Sequence, residues 1–204
     1  MKRITNVKRA ASRGYHSKLR DERAEDTRQR ILDALVRTIA RGVAGLSIPA
    51  VAAEAGVSVP TVYRYFKTKS DLVAALGPFL HEKSRLMQTP DTSHGVGEMV
   101  REIYQRHAAL TPEVRAAMAS ELGGEVRRQA MPRRMAVIRD SLRAFVPGAS
   151  SDDLERLTRV ALIFMATPTI RAFEEYLGKA PGEAADDVGW VMETLVGSLR
   201  RKRT

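Results

Sequence analysis

Apolar residues recur at three- and four-residue spacing along most of the chain, with no sustained strict alternation, so the pattern predicts helices throughout and no sheet. Ile31, Leu32, Leu35, Val36 and Ile39 form the first clear stripe; Asp26 is its expected cap, with Gln29 three residues on, and Gly42 its stop. A second helix is expected from Ser47, which can accept an unpaired first-turn amide, with Pro49 where a missing N–H costs nothing. Gly56 ends it by taking the left-handed conformation, and Ser58 caps a third helix at once. Thr68 and Asp71 repeat the capping pattern, so a fourth helix starts at Lys69, with a kink or break expected at Gly77-Pro78.

From Phe79 onward the period stays helical. Breaks are expected near Asp91 to Gly95, Thr111-Pro112, Gly123-Gly124, Pro147-Gly148 and Gly178 to Gly182, delimiting about five further helices. Their stripes read as bundle core: Met99, Ile103, His107 and Leu110, then Met135, Ile138, Leu142 and Phe145. Leu154, Leu157, Ala161, Phe164 and Met165 follow, and Val188, Val191, Met192, Leu195 and Leu199 close the chain. Pro168 falls within the fourth of these helices and should leave the Phe164 carbonyl without its helical partner.

The spacing of Ala52, Gly56 and Val62 is that of a helix-turn-helix, with Val51, Ala52, Val57 and Val62 meeting where the two short helices cross. With Val62 and Phe66 turned inward, Val59, Pro60, Thr61, Tyr63, Arg64 and Tyr65 remain for the outer and flanking faces. Such a face suits a DNA major groove. Arg64 can pair with a guanine edge, Val59 or Pro60 can touch a thymine methyl, and Thr61, Tyr63, Tyr65 and Lys69 can bond phosphates. The capping serines Ser47 and Ser58 complete the candidate DNA-contacting set. On an ordinary surface helix the same tyrosines would be half-buried packing and Arg64 a solvated charge.

The segment VSVPTVYRYFKTKSDLVAAL, with DTRQRILDALVRTIARGV before it, resembles the DNA-binding domain of the TetR family of bacterial transcriptional regulators over roughly Asp26 to Leu76, on a signature of Thr61, Tyr63, Tyr65-Phe66 and Lys69. The resemblance implies an all-α protein: an N-terminal three-helix helix-turn-helix domain followed by a helical bundle that binds a ligand and dimerises. It further implies a homodimer through the two C-terminal helices, released from DNA by a small effector. By position in the family's middle helices, Met99, Ile103, Tyr104, His107, Phe145, Phe164 and Thr167 become candidate ligand contacts. With only 5% aromatic residues, a largely apolar effector with one or two polar handles is expected rather than a planar stacking drug. Two features depart from the family: Pro60 stands where a glycine or another small residue is common, and a long basic leader precedes the first helix.

Charge placement strengthens the nucleic-acid reading. The net charge of +10 is concentrated at +7 in residues 1–20, +4 in residues 200–203 and +4 in residues 27–78, while residues 79–199 sum to −2. Expected domains are a basic, disordered arm over 1–25, the helix-turn-helix domain over 26–76, and the ligand-binding and dimerisation domain over 77–204. Absence of cysteine excludes disulfide scaffolds and thiolate chemistry, and four scattered histidines form no metal spacing, each reading as a surface or hydrogen-bonded residue. No cofactor is expected, and with neither a phosphate-cradling glycine loop nor a nucleophile placed beside a base, no enzyme; Glu54, Glu174 and Glu175 read as helix-surface charges. Without a signal peptide or a long apolar run, the cytoplasm is expected. The function expected is a repressor leaving a palindromic operator when its ligand binds. The alternative is a sequence-tolerant architectural DNA-binding protein that relies on the basic arm.

Overall fold

Side-chain oxygens set where five of the helices begin. Ser47, Ser58, Thr111, Ser120 and Ser150 accept from the amides of Ala50, Thr61, Val114, Gly123 and Asp153 at 3.1–3.5 Å, each satisfying a first-turn donor that the helix itself cannot. A computed structural model describes the backbone of residues 5–42, 47–84 and 88–201, with side chains from Arg20 onward. The side chains of the basic leader and the end of the C-terminal basic run lie outside the described residues. Among these residues the chain is all helix: α1 (Thr5–Ala40), α2 (Ile48–Ala55), α3 (Val59–Tyr65), α4 (Lys69–Ser84), α5 (Val96–Ala108), α6 (Pro112–Ala119), α7 (Glu121–Phe145), α8 (Ser151–Phe164), α9 (Thr167–Leu177) and α10 (Pro181–Arg201).

The chain divides into two compact units, residues 1–76 and 77–204. In the first, Ile31, Leu32, Leu35 and Val36 of α1 are at most 3% exposed and share a core with Val51 and Ala52 of α2, Val62 of α3, Phe66, and Leu72 and Leu76 of α4. Glu54 of α2 ties this core's edge to α1, accepting from Arg37 Nε at 2.5 Å and Arg41 Nη1 at 2.6 Å. The two guanidiniums hold its carboxyl below the usual carboxylate range. It is therefore a clamp between helices and not the free surface charge its sequence context suggests.

α1 corrects two expectations. The leader expected to be disordered over 1–25 is helical from Thr5, and Asp26 is not a cap. Its carboxylate instead faces Arg30 one turn on, at 3.4 Å, while Gln29 bonds Glu25. Residues 5–25 contain no proline, and Arg and Ala, both good helix formers, are their commonest residues, so the helix extends backwards past Asp26. α4 begins as expected, with Thr68 and Asp71 exchanging amide-to-side-chain bonds at 3.0 Å, but it does not break at Gly77-Pro78. The helix runs through to Ser84 with Pro78 inside it; burial of Leu76, Phe79 and Leu80 on one face offsets the backbone bond that proline removes.

In the second unit the main core joins α5, α7, α8, α9 and α10, including Met99, Tyr104, Leu142, Ala161, Ile170 and Met192, each at most 1% exposed. The most extensive helix pair is α5 with α10. Glycines make it close: a Cβ on Gly189 would stand 3.6 Å from the Gly97 Cα. Arg101 of α5 adds a bond to Asp186 of α10 at 2.6 Å.

Six helices follow α4 instead of about five. Gly123-Gly124, expected to be a break, lies in the first turn of α7, and the break falls at Ser120, the N-cap. Gly123 is needed for approach, since a Cβ there would overlap the carbonyl oxygens of Ala117 and Met118, the latter at 2.6 Å. The single helix expected around Pro168 is two, because Pro168 sits in the first turn of α9, where its missing N–H is harmless.

Candidate nucleic-acid interface

The helix-turn-helix corner is fixed by backbone bonds before any side chain matters. Gly56 takes φ 65°, ψ 35° and donates its N–H back to α2, and the Val57 N–H donates to the Ala52 carbonyl at 3.0 Å, so α2 ends and the chain reverses. Ser58 then caps α3, and its Oγ also lies 2.9 Å from Thr61 Oγ1, which orients that hydroxyl. Val62 is completely buried and Phe66 is 4% exposed, the latter beneath the Arg28 guanidinium at 5.6 Å. These contacts fix which way α3 turns.

The opposite side of α3 is open. Pro60 and Arg64 are exposed and Tyr63 is 46% exposed, while Val59, Thr61 and Tyr65 are half-buried. The Arg64 guanidinium stands 5.3 Å from the Tyr65 ring centroid, a cation–π contact that restrains its rotamers. Ser58 and Lys69 are exposed and Ser47 half-buried. At the start of α4, the Thr68 amide is taken by the Asp71 carboxylate and the Asp71 amide by Thr68. The Lys69 ammonium, exposed in the first turn, is available there for a phosphate. The arrangement presents a rigid short helix carrying one guanidinium, two phenols, a hydroxyl and small apolar surface, the mixture that base edges and phosphates bond.

The seven ligand candidates sit mostly in packed core. Met99, Ile103, Tyr104, His107, Phe145 and Thr167 are buried and Phe164 half-buried. The Phe164 carbonyl freed at the end of α8 accepts the Tyr104 hydroxyl at 2.8 Å, so Tyr104 has a structural bond to serve. His107 contradicts the expectation of a surface or hydrogen-bonded histidine. It is 1% exposed with neither ring nitrogen bonded, and burial, with the charges of Arg115 and Arg134, lowers its pKa to about 4.

Of the seven, Thr167 borders an open cavity of about 250 Å³ lined also by Arg127, Pro168, Arg171, Glu175 and Tyr176. A second void of about 30 Å³ lies among Leu80, His81, Ser84, Val126, Arg127 and Arg134. Arg127, Arg134 and His81 are not among the residues that the sequence pattern singles out. A signal was present for the arginines: counting back from Phe145 and Ile138 in helical steps, the buried stripe of α7 continues through Arg134 and Arg127.

The chain's matches agree with this geometry. Residues 31–76 match the sequence profile of the bacterial regulatory proteins of the tetR family. A TetR-family transcriptional regulator from Rhodococcus sp. superposes with TM-score 0.64 at 18% identity, covering 84% of this chain and 99% of the other. One from Mesorhizobium loti MAFF303099 gives TM-score 0.58 at 16% identity, with 86% and 98% covered. NalD, the secondary repressor of the MexAB-OprM multidrug efflux pump in Pseudomonas aeruginosa, gives 0.54 at 18% identity, with 87% and 96% covered. At these identities the superpositions establish the shared fold, a helix-turn-helix unit followed by a helical unit, and the profile match over residues 31–76 makes the corner just described similar to that of the bacterial regulatory proteins of the tetR family.

Proposed function

We propose that the protein is a sequence-specific transcriptional repressor that binds a palindromic operator as a homodimer in the cytoplasm and is released by a small molecule held in residues 77–204. The observation that carries the reading is α3: Val62 has no exposure while Pro60, Tyr63 and Arg64 face outward from a corner capped at both ends. A dimer would set two copies of Arg64 in successive major grooves, about 34–36 Å apart. Support for pairing through the C-terminal helices comes from large apolar side chains left exposed there: Ile163 on α8, Tyr176 and Leu177 on α9, and Trp190 on α10. Among the described residues no helix is long and apolar enough to cross a membrane, and no cluster of potential metal ligands occurs.

In this mechanism the ligand binds the DNA-incompetent conformation better, and about a 10⁴-fold difference in affinity carries a two-state equilibrium from one extreme to the other. Selection of bound sites from random duplexes tests the first half. Recovery of one palindrome, with binding that exceeds binding to random DNA by about a thousandfold or more, is the expected result. Equal affinity for all duplexes sinks the operator reading and leaves a sequence-tolerant architectural protein.

A further inference from the structure

α7 carries positive charge into the second unit without a negative partner. Arg127 and Arg134 stand seven residues apart on one face of the helix, in line with the buried Ile138 and Phe145. Among the described residues neither has a carboxylate within ion-pair distance. Arg134 donates to the Met165 carbonyl at 2.8 Å and Arg127 to the Met118 carbonyl, and each guanidinium has five donors. Burial, the larger cause, and a neighbouring arginine hold both below the usual guanidinium range. Two half-buried cations without a carboxylate partner are unfavourable in isolation, and an anion is the group that relieves them.

The space around them suits such a group. Arg127 borders both cavities, and Arg134 the smaller one, with His81 and Ser84 opposite and Leu80 and Val126 supplying apolar wall. On the larger cavity, Thr167 is 2% exposed and its hydroxyl has no hydrogen-bond partner, so a donor waits there unused. Glu175, the carboxylate on that cavity, already bonds Arg171. Guanidiniums favour oxyanions, whose paired oxygens match their fork of N–H donors.

We propose that the second unit binds a small organic oxyanion, a carboxylate or phosphate head on an apolar body, with Arg127 and Thr167 bonding the head on the larger cavity and Arg134 adding its charge from the smaller one beside Arg127. This rests on the reading of the protein as ligand-responsive and adds the chemical class of the ligand. The largely apolar effector expected from the sequence acquires a required charge.

Thermal unfolding of the full chain with matched probes tests the proposal: acetate, benzoate, octanoate and octyl phosphate, against acetamide, benzamide, octanamide and octanol. The expected result is a concentration-dependent rise in Tm for at least one anion and none for its neutral counterpart, with apparent affinity about tenfold weaker or worse in Arg127→Met and Arg134→Met. Should one of these variants fail to fold, the other carries the comparison. A carboxylate-only or phosphate-only response identifies the head, and either supports the proposal. No anion exceeding its neutral partner, or an anion effect unchanged in the foldable variants, overturns it. Operator binding, measured separately, keeps the two readings apart: Arg-dependent anion binding without DNA release sinks the ligand-released repressor alone, and release by a neutral compound only sinks the anion site alone.

Discussion

His107 should make the second unit acid-sensitive in a window where most carboxylates stay ionised. The ring is 1% exposed, has no bonded nitrogen, and is held from its ordinary 6.5 to a pKa of about 4. Well above pH 6.5 both folded and unfolded chains carry it neutral and it contributes no pH dependence. Below that the unfolded chain takes up a proton that the folded chain refuses, so stability falls as pH falls until about pH 4, where the folded state also protonates. Between about pH 7.5 and pH 5 the two pKa values give a loss of about 2 kcal/mol, because each tenfold difference in proton affinity between the two states is worth about 1.4 kcal/mol. Urea unfolding followed by circular dichroism at both pH values, for the wild type and His107→Leu, measures it. The variant should lose about 2 kcal/mol less across the window, and at the higher pH it should be no less stable, because two unpaired buried nitrogens are removed. His81, also lowered by burial and then by Arg133 and Arg134, is common to both proteins and cancels in the difference. An identical pH dependence in wild type and variant would refute the reasoning.

Other perturbations separate the roles of neighbouring residues. Arg64→Ala should cost about 1–3 kcal/mol on the selected operator and relax preference at one base pair, whereas Lys69→Ala should weaken all duplexes alike and flatten the salt dependence; equal losses on specific and random DNA for both would overturn that division. Tyr104→Phe strands the Phe164 carbonyl and should destabilise the chain by about 1–3 kcal/mol in urea, a loss that would be absent if the 2.8 Å bond were dispensable. Gly56→Ala meets no atom within 4 Å but forces a side chain onto φ 65°, costing about 1–2 kcal/mol. Gly123→Ala strikes backbone carbonyls that cannot swing aside and should lower Tm further than Gly56→Ala; the reverse order would show that α6 and α7 shift apart easily.

The first unit was legible because its signals are local. Ser47, Gly56, Ser58 and the Thr68–Asp71 pair each decide a helix end through atoms three or four residues away, and Val62 can turn only one way once those ends are set. Asp26 misled because a capping box marks a start only where the preceding residues cannot be helical, and here they can. Gly123 misled for the opposite reason: glycine is also the residue that lets backbones touch, and that need comes from α6 in space rather than from its neighbours in sequence. The cavity walls were the least legible. Apolar stripes locate what packs, and Met99, Ile103 and Phe145 do pack; a cavity forms where packing stops, and the charged end of α7 gave that away only once its face was known.

The glycine contact between α5 and α10 has a mechanical consequence. Two helices that meet backbone to backbone cannot slide by a residue without driving a side chain into the partner, so Gly97 and Gly189 act as a keyed joint. Any rearrangement on filling the cavities therefore falls to α4, α6, α7 and α9, whose residues form their walls, while α5 and α10 serve as the chassis. Hydrogen exchange should be slow and indifferent to ligand in α5 and α10, and ligand-dependent in the other four. Trp190 follows Gly189 immediately and points outward from that chassis, so whatever surface covers Trp190 is mounted on the part of the machine that stays still.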